Sequence, residues 1–579
     1  MKIKSKNLLD LFDAINLIDF EFLCNPGEIP IPHCLVVIDA RTGKVSRFFA
    51  PFGDKPPFSI GRNDLVCAYY VSAEMSCHLA LGWDLPENIL DLYVEFRTLT
   101  NAGSQRIASS LLDALAFFKL PSIATGEKKE MRELAMSGGP FSEKEKEDLL
   151  DYCESDVVAL KKLLEAMKDT IDIERALLRG RYMIAVAQME HNGIPLDLDL
   201  LNRFKTYWSD IQRALIYDVN KDYGVFDGTT FRQSAFQDYL RRQGIAWPKL
   251  PSGKLDLKEE TFKMMAASNP QIESLYELRS TLSKMKTLRI PAGKDGRNRC
   301  LLSPFSSKTS RNQPSTAQFI FGLSAWLRSL MKPEFGFILA YLDWCQQEFG
   351  IAAALSGDTR MMEAYLSGDP YLTFGKQAGV IPENGTKESH KAERSRFKIA
   401  ALAVQYGMGP LSLGVQLGQS ESHGRELLTL HKKTYPQYWD WIDRTVSGAK
   451  FEKSISTVFG WKMKVDKTTG SRTIANFPCQ ANGAEMLRIA ISLAVQNGVK
   501  VCAPVHDALL IEAKEEEAEE QIRIAQDCMR KASSYVLDGF ELRSDCEIIR
   551  YPNRYSDERD EQLWTKAISV LGELERKGA

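Results

Sequence analysis

The chain has 579 residues and a formal net charge of −2, with 44% hydrophobic and 26% charged residues. At about 100–200 residues per domain, this length suggests three or four domains of a globular protein. The near-neutral net charge excludes a strongly basic global field. The sequence contains no run of about 18 apolar residues, so no membrane span is predicted.

In chain order, alternating apolar residues over 14–50 predict strands. Short apolar runs mixed with helical patterns over 60–180, ending in a helix at about 143–168, predict an α/β unit. Residues 180–290 are predicted to be mostly helical, and residues 291–335 are predicted to be rich in loops.

The second half predicts a different architecture, in which one strand precedes a long helical block and a strand–turn–strand follows it. The expected elements are a strand at 336–343, helices over about 346–450, a hairpin at about 453–465, a helix at about 478–497 with Pro478 in its first turn, and the strand pair 499–513.

Eleven cysteines are scattered through the chain without a CxxC pair or a zinc-like Cys/His spacing. An odd number of cysteines in a long chain predicts reduced thiols in a reducing compartment. The N-terminal stretch has no apolar core followed by a small-residue cleavage site, so no signal peptide is predicted.

Charged residues are distributed unevenly along the chain. Residues 279–311 contain nine Lys or Arg against one acid, Asp295. Such a segment is either a solvated surface loop or a surface that contacts nucleic-acid phosphates. Both interpretations stay open at this point.

Two carboxylates stand two residues apart in the stretch IDFEF, as Asp19 and Glu21. In a strand both side chains leave the same face, while their apolar neighbours take the other face. Adjacent like charges are unfavourable unless a cation lies between them. The pattern predicts a metal-binding pair, and an exposed acidic edge strand is the alternative.

The helix predicted at 143–168 carries Tyr152 and Asp156 four residues apart, and therefore on one face. A carboxylate that binds metal beside a phenol that orients water suits hydrolysis, and an ordinary solvated helix face is the alternative. Together, DxE and YxxxD resemble the motifs of the DEDD family of 3′–5′ exonucleases, in the version with a tyrosine in the third motif.

This resemblance implies a further acid between the two motifs. Glu74 stands at the position of the family's second aspartate, with Tyr69 and Tyr70 in place of its usual His–Asn pair, and Asp91 is the fallback. Two divalent metals would support in-line attack of water on a phosphodiester, with Tyr152 positioning the water. The implied metal ligands are Asp19, Glu21, Glu74 and Asp156.

A predicted helix in RSRFKIAALAVQYGMG carries Arg394, Lys398, Leu402 and Tyr406 at steps of four residues. They form one stripe about 18 Å long, with two cations at the end that suits a triphosphate. An amphipathic helix with a solvated basic face is the alternative. The stripe resembles the fingers helix of the family A, or DNA polymerase I-like, DNA polymerases, with Leu402 where that family usually has Phe.

Two distant aspartates extend the resemblance. VHD at 505–507 resembles the palm motif VHDE, with Ala508 in place of Glu, and DWCQQE from Asp343 resembles DYSQIE. Asp343 could instead cap the following helix, since Asp is a favoured N-cap. The resemblance implies that Asp343 and Asp507 together bind two Mg²⁺ ions, with Mn²⁺ able to replace Mg²⁺.

Further motifs follow in the family's order. TSR ending at Arg311 resembles TGR, and residues 189–197 resemble the start of the thumb. Arg472, Asn476 and Gln480 match the RxxxNxxxQ set that lines the minor groove and template. The resemblance therefore implies that Arg311, Arg472, Asn476 and Gln480 bind DNA. It extends from about residue 10 to the end of the sequence.

The resemblance also implies roles in binding dNTP. Arg394 and Lys398 would grip the β- and γ-phosphates, Lys398 also serving as general acid, since a lysine proton can leave. Glu348 would crowd the sugar 2′ carbon and so favour deoxyribonucleotides. The complete implied dNTP-binding set is Arg394, Lys398, Leu402, Tyr406, Glu348, Gln346 and His506.

The implied fold is α/β and α+β multidomain: an RNase H-like 3′–5′ exonuclease domain followed by a right-hand palm, thumb and fingers polymerase. The expected boundaries are 1–175 for the exonuclease domain, 176–300 for the thumb, 301–345 for the first part of the palm, 346–450 for the fingers, and 451–579 for the second part of the palm and the C-terminal tail.

The expected activity is template-directed 5′→3′ DNA synthesis with proofreading, in a phage-type replicative enzyme. The expected partners are primer–template DNA, dNTPs and a helicase, primase or single-strand-binding protein of a replisome, without a membrane. A monomer in the bacterial cytoplasm, including that of an infected host cell, is expected.

Three alternatives remain. Leu402 and Ala508 motivate an exonuclease with a DNA-holding, weakly active polymerase module. A single-subunit RNA polymerase shares the palm and fingers, although Glu348 argues against it. The third alternative is a polymerase whose exonuclease half is only structural.

Overall fold

The structure is a computed structural model that describes residues 11–102, 107–121, 125–250, 252–284, 288–556 and 561–578. The N-terminal part is an α/β unit around a five-stranded sheet. Its elements are β1 (Ile15–Leu23), β2 (Ile31–Asp39), β3 (Val45–Phe49), β4 (Leu65–Ala68), α1 (Val71–Leu81), β5 (Ile89–Asp91), α2 (Leu92–Thr100), α3 (Leu111–Phe117), α4 (Thr125–Ser137) and α5 (Glu143–Met167).

The sheet has the order β3–β2–β1–β4–β5, with β1 antiparallel to β2 and parallel to β4. Neighbouring residues of β1 point to opposite faces. Leu17 joins the apolar cluster that includes α5, whereas Ile18 and Phe20 join the cluster on the other side. Helices therefore cover both faces, and the strands and the long helix predicted for this region are confirmed.

A helical region follows, and its first helix is pressed against the sheet. A Cβ atom added at Gly180 would lie 2.0 Å from the carbonyl oxygen of Ile89, so only glycine permits this approach. The elements of the region are α6 (Ile173–Asn192), β6 (Ile194–Pro195), α7 (Leu198–Tyr223), β7 (Phe226–Asp227), β8 (Thr230–Phe231), α8 (Gln233–Gln243), α9 (Glu259–Ser268), α10 (Glu273–Lys284) and β9 (Arg297–Asn298).

The basic segment 279–311 is not one DNA-facing surface. The Arg279 guanidinium lies 4.0 Å from the ring centroid of Phe231, Arg297 forms a buried ion pair with Glu512, and Arg299 pairs with Asp295. These arginines stabilise the interior, so the interpretation as a phosphate-gripping segment is wrong for them. Lys308 is exposed, and Lys286 lies outside the described residues.

The second half is built on an antiparallel sheet interrupted by helices. Its elements are β10 (Phe337–Trp344), α11 (Gln347–Ser356), α12 (Thr359–Leu366), α13 (Pro370–Gln377), α14 (Lys391–Gln405), α15 (Pro410–Gln416), α16 (Glu421–Thr434), α17 (Pro436–Glu452), β11 (Ser454–Ser456), β12 (Lys462–Lys464), α18 (Ser471–Gln496), β13 (Lys500–Val505), β14 (Ala508–Lys514), α19 (Ala518–Val536), β15 (Ser544–Arg550) and α20 (Glu561–Gly578).

The sheet order is β13–β14–β10–β15, so segments far apart in sequence become neighbours. The predicted strand, hairpin and strand–turn–strand are confirmed. The helix predicted from Pro478 is wrong at its start: α18 begins at Ser471, and Pro478 lies inside it. Extensive burial of α18 offsets the loss of one backbone hydrogen bond, and Asn482 donates a side-chain bond to the Pro478 carbonyl at 2.9 Å.

Across the described ranges, no helix combines the length and the apolar character needed to cross a bilayer. The fold is thus an α/β unit, a helical region, and a four-stranded antiparallel sheet with a helical insertion between β10 and β13.

Candidate active sites

The first candidate site lies where α5 crosses β1. One carboxylate oxygen each from Asp19, Glu21 and Asp156 lies within 4.8 Å of the others. Asp19 and Glu21 share a face of β1, and the register with β2 shifts immediately after Glu21. Such an irregularity bends the strand locally and re-aims side chains. The sheet and the helix therefore bring together carboxylates separated by more than 130 positions.

Tyr152 and Glu74 border this cluster. The pKa of Tyr152 is raised by burial, by the charges of Asp156 and Glu21, and by its hydrogen bond to Asp156. The pKa of Glu74 is raised well above its usual value, first by complete burial and then by the charges of Asp19 and Glu21. Repulsion of this kind is relieved by a bound cation, so the donor set fits a hard divalent metal.

The Glu74 carboxylate is close enough for the charges of Asp19 and Glu21 to raise its pKa. Its oxygens are nevertheless not among those that lie within 4.8 Å of one another. It projects from the first turn of α1, where its Oε2 is buried without a hydrogen-bond partner. The position suits a carboxylate that acts at the edge of a metal site. The assignment of Glu74 as a ligand stays a prediction.

Asp91 has a structural role. Its carboxylate accepts hydrogen bonds from the backbone amides of Tyr70, Val71, Tyr93 and Val94, at 2.9–3.3 Å. It caps α2 and fastens the start of α1 to the end of β5. Four amide donors occupy its acceptor capacity, so its geometry does not favour the fallback assignment of Asp91 as a metal ligand.

The second candidate site lies at the tip of the antiparallel sheet. Asp343 stands near the end of β10 and is opposite Ala508 at the start of β14. The two-residue turn between β13 and β14 consists of His506 and Asp507, and His506 adopts a φ of 55°. This turn places Asp507 beside Asp343 although they are far apart in the chain.

Asp343 is not a helix cap. It lies within β10, whereas α11 begins after Gln346, which adopts a φ of 45° and makes no side-chain capping bond. The alternative that Asp343 serves as an N-cap is therefore wrong. Its carboxylate is available for another purpose, and its Oδ1 is buried without a hydrogen-bond partner.

The electrostatics of the pair favour a cation. The pKa of Asp343 is raised to about 7 by burial, then by the charges of Asp507 and Asp545. Burial also raises the pKa of Asp507, against a lowering effect of Arg311 and His506. Repulsion between two partly buried like charges raises the free energy of the site, and a bound divalent cation lowers it again.

The residues that follow Asp343 in the chain carry buried polar atoms without partners. Within the described residues, buried side-chain atoms without a hydrogen-bond partner include Trp344 Nε1, Gln346 Oε1 and Gln347 Nε2, and Asn476 Oδ1 is another. Buried polar atoms in native proteins are usually satisfied, so such a group needs a cause. A site that binds a polar ligand provides that cause.

Glu348 links three elements at this site. Its carboxylate accepts a hydrogen bond from the Tyr406 hydroxyl, and its Oε1 lies 3.9 Å from Arg311 Nη2. Its pKa is nevertheless raised, because burial outweighs both favourable contacts. Glu348 and Tyr406, both predicted to bind the incoming nucleotide, are thus in contact.

The predicted helix stripe is present on α14, with Tyr406 directly after the last turn. Lys398 is exposed and Leu402 is half-buried. Arg394 forms an ion pair with Asp369, which caps α13. Sequence spacing gave no indication of this acidic partner, because the contact depends on how α13 packs against α14.

The residues Arg472, Asn476 and Gln480 lie on one face of α18, four residues apart. Gly407 brings the end of α14 close to this helix: a Cβ there would lie 2.9 Å from Arg472 Cγ. With a φ of +63°, Gly407 also adopts a conformation that favours glycine.

Arg311 is positioned by buried contacts that the sequence did not predict. Its amide donates to Ser307 Oγ at 2.8 Å, and Arg488 donates to the carbonyl of Ser310 at 2.9 Å. Arg488 is itself paired with Glu485 at 2.8 Å. The sequence offers one signal for this contact, the spacing of Glu485 and Arg488 three residues apart on a predicted helix. That spacing does not identify which loop the arginine holds.

An antiparallel sheet with two aspartates at its tip, facing a helix that starts with basic residues, is the arrangement of the palm and fingers in right-hand polymerases. Residues 321–548 match the family model described as DNA polymerase family A.

Known DNA polymerases are similar to the chain in sequence. The chain is similar to "DNA polymerase I" of Aquifex aeolicus, with 24% identity over 429 residues that cover 67% of this chain and 73% of that protein. It is similar to "DNA polymerase I, thermostable" of Thermus filiformis, with 23% identity over 412 residues, which are 63% of this chain and 46% of that protein. The matched part thus spans less than half of the Thermus protein.

A solved structure has a similar fold. It is described as the POL domain of Pol1 from M. smegmatis in complex with DNA primer-template and dNTP. The TM-score is 0.69 at 17% sequence identity, over 92% of this chain and 94% of that chain. The similarity therefore includes the N-terminal α/β unit as well as the antiparallel sheet.

Proposed function

We propose that the chain is a template-directed DNA polymerase that adds dNTPs to a primer 3′-hydroxyl. The observation that carries the proposal is the convergence of Asp343 and Asp507 at the tip of the sheet, with a buried, unpartnered Oδ1 on Asp343. The match of residues 321–548 to the family A model and the contact between Glu348 and Tyr406 support it.

Asp343 and Asp507 would hold Mg²⁺. When bound, Mg²⁺ lowers the pKa of the primer hydroxyl and neutralises charge on the leaving pyrophosphate. Arg394 and Lys398 bind the β- and γ-phosphates, and Lys398 gives a proton to the pyrophosphate, which an arginine cannot do. Because Arg394 is paired with Asp369, the phosphates compete with that carboxylate for it.

The remaining residues check the new base pair. Tyr406 stacks beside it, and Glu348 crowds the sugar 2′ carbon. Arg311, Arg472, Asn476 and Gln480 contact minor-groove acceptors, which are present in every Watson–Crick pair, and so test pair shape without reading sequence.

The test is primer extension with dNTPs and Mg²⁺ by the parent protein and by Asp507→Ala. The parent is expected to extend a matched primer, and the variant is expected to lose at least about 100-fold in rate, as for loss of an essential electrostatic group. Equal and poor extension by both proteins would favour the alternative of a DNA-holding module. Synthesis from ribonucleotides on a promoterless template would instead identify an RNA polymerase.

We also propose that the N-terminal unit removes mismatched 3′ ends by hydrolysis. The supporting observation is the cluster of Asp19, Glu21 and Asp156, which fits a divalent cation. Tyr152 holds the attacking water, and Glu74 adds charge at the edge of the site. This proposal would make the chain a proofreading enzyme rather than a polymerase with a structural appendage.

Digestion of a primer with a mismatched 3′ end tests this second activity. Asp19→Ala is expected to abolish digestion, whereas Asp151→Asn is the matched control, since Asp151 lies on α5 but pairs with Arg47 at the surface. If the parent protein fails to digest the mismatched end, the N-terminal unit is only structural.

Primer–template DNA and dNTPs are the proposed partners, in keeping with the words that describe the similar structure. The domain boundaries, the replisome partners, the monomeric state and the phage-type origin stay predictions.

A further inference from the structure

Strand β15 places a third carboxylate beside Asp343. Asp343 on β10 is opposite Asp545 on β15 on one side and opposite Ala508 on β14 on the other. Residues directly opposite each other on antiparallel strands point to the same face, with Cβ atoms about 4.5–5.5 Å apart. Asp545 therefore projects from the face of the sheet that carries Asp343.

The two flanks of Asp343 differ in charge. Ala508 is fully buried and contributes no polar atom, whereas Asp545 is exposed to solvent. The charge of Asp545 also contributes to the raised pKa of Asp343, after burial and Asp507. The negative field at Asp343 thus comes from the turn and from β15, and not from β14.

In the part of the chain that the structure describes, no lysine or arginine forms an ion pair with Asp545. Arg543, two residues away on the same segment, donates instead to the carbonyls of Tyr365 and Gly368. The Asp545 carboxylate accepts a hydrogen bond from the thiol of Cys345. A weak neutral donor of this kind leaves most of the negative charge of Asp545 directed at the site.

Two aspartates directly opposite each other on a sheet destabilise it, because like charges repel at this distance. The repulsion becomes useful when a divalent cation lies over the tip of the sheet, since each carboxylate then lowers the energy of the cation. Asp545 is not placed to share direct ligation: Asp343, Asp507 and Asp545 do not form a group with oxygens within 4.8 Å among the described residues.

We propose that Asp545 is a positioning residue of the polymerase site, which strengthens cation binding by Asp343 and Asp507 through its negative charge. The inference rests on the proposed function of that site. It assigns to β15, which carries none of the residues identified from sequence, a part in holding the metal on which nucleotide addition depends.

The direct test measures Mn²⁺ binding by electron paramagnetic resonance of free Mn²⁺. All proteins carry Asp19→Ala, so that the N-terminal cluster contributes less, and Asp343→Asn defines the signal that belongs to the polymerase site. Asp545→Asn is expected to weaken this binding about fivefold, the size of a screened charge effect near a protein surface. Asp545→Glu keeps the charge and is expected to bind as the parent does.

Glu547→Gln is the matched control. Glu547 lies on the same strand and face but opposite Tyr341 instead of Asp343, so its loss should leave Mn²⁺ binding unchanged. Thermal unfolding of each variant separates a folding defect from a metal effect. Unchanged Mn²⁺ affinity in a folded Asp545→Asn protein would overturn the proposal.

Primer extension as a function of Mg²⁺ gives the second readout. Asp545→Asn should need about fivefold more Mg²⁺ for half-maximal rate and should regain the parent rate at saturation, since only the effective charge has changed. If the parent extends primers but Asp545→Asn binds Mn²⁺ normally, the inference fails while the proposed function stands. If Asp545→Asn weakens Mn²⁺ binding but the parent never extends a primer, the proposed function fails.

Discussion

Tyr406 donates a hydrogen bond to the carboxylate of Glu348, and this contact joins the end of α14 to the first turn of α11. Arg311, from a loop before β10, lies 3.9 Å from the same carboxylate. Three distant parts of the chain thereby hold one half-buried acid. The orientation of Glu348 depends on these two partners, because burial alone disfavours its charged form.

Tyr406→Phe should release Glu348 while keeping the aromatic ring. Loss of a hydrogen bond to a charged group costs about 1.5–3 kcal/mol when the site is buried, and less at the half-exposed Tyr406. We expect kcat/KM for dATP to fall about fivefold, an effect of ~1 kcal/mol, with the ratio of dATP to ATP use falling as well. The measurement is single-nucleotide incorporation.

Tyr535→Phe is the control for that experiment, since Tyr535 is an exposed tyrosine on α19. It should leave both nucleotides unaffected. An unchanged ratio of dATP to ATP in Tyr406→Phe would show that Glu348 does not need the tyrosine to exclude ribonucleotides.

Asp343→Asn should stabilise the metal-free protein while it removes activity. The pKa of Asp343 is raised to about 7 in the folded chain, from an ordinary value of 3.8. Between these values the folded state binds the proton more tightly than the unfolded state does, so the stability of the parent falls as pH rises from about 4 to about 7. The Asp343→Asn variant has no ionisable group at this position, so its stability does not fall in this way as pH rises.

Melting curves in EDTA at pH 5 and pH 8 measure this effect. The Tm advantage of Asp343→Asn should be larger at pH 8 than at pH 5, and millimolar Mg²⁺ should reduce it by stabilising only the parent. An advantage that is equal at both pH values would contradict a raised pKa at this position.

Asp91→Ala should lower the stability of the protein and leave the hydrolysis of mismatched 3′ ends unchanged. Its carboxylate accepts four backbone amides, so its removal leaves the starts of α1 and α2 uncapped. Loss of an N-cap costs about 0.5–2 kcal/mol, and we expect about 2 kcal/mol here because two helices are affected. Denaturant unfolding and digestion of mismatched 3′ ends are the two measurements.

Asp19→Ala should show the opposite pattern, with lost digestion and unchanged or greater stability, because it relieves repulsion within the acidic cluster. If Asp91→Ala folds normally but abolishes digestion, Asp91 is a ligand after all and the capping interpretation is insufficient.

Arg297 and Lys308 should differ in their effect on DNA binding, although both belong to the basic segment. Arg297→Met breaks the buried pair with Glu512 and should lower Tm without changing the salt dependence of DNA binding. Lys308→Ala removes an exposed cation near Arg311 and should reduce the slope of log K against log salt by about 0.9, as for one lost phosphate contact.

Fluorescence anisotropy with a primer–template duplex at several salt concentrations gives both slopes. A smaller slope for Arg297→Met at full folding would mean that this arginine reaches phosphate despite its burial.

Local patterns in the sequence were sufficient for much of the fold. The alternation around Asp19 and Glu21 predicted β1, and the helical spacing of Tyr152 and Asp156 predicted α5, because side-chain periodicity is a property of each element alone. The start of α18 was misplaced because proline is favoured in the first turn of a helix and disfavoured in its interior, and only tertiary burial of the helix overrides that preference.

The sequence by itself determined the family resemblance, the residue types of both sites and their order along the chain. The tertiary structure decided which charges meet: that Asp343 faces Asp507 and Asp545, that Arg394 is held by Asp369, and that Asp91 caps helices. The physical reason is that strand register and helix packing bring together residues with no local relation, and electrostatic effects depend on distance in space.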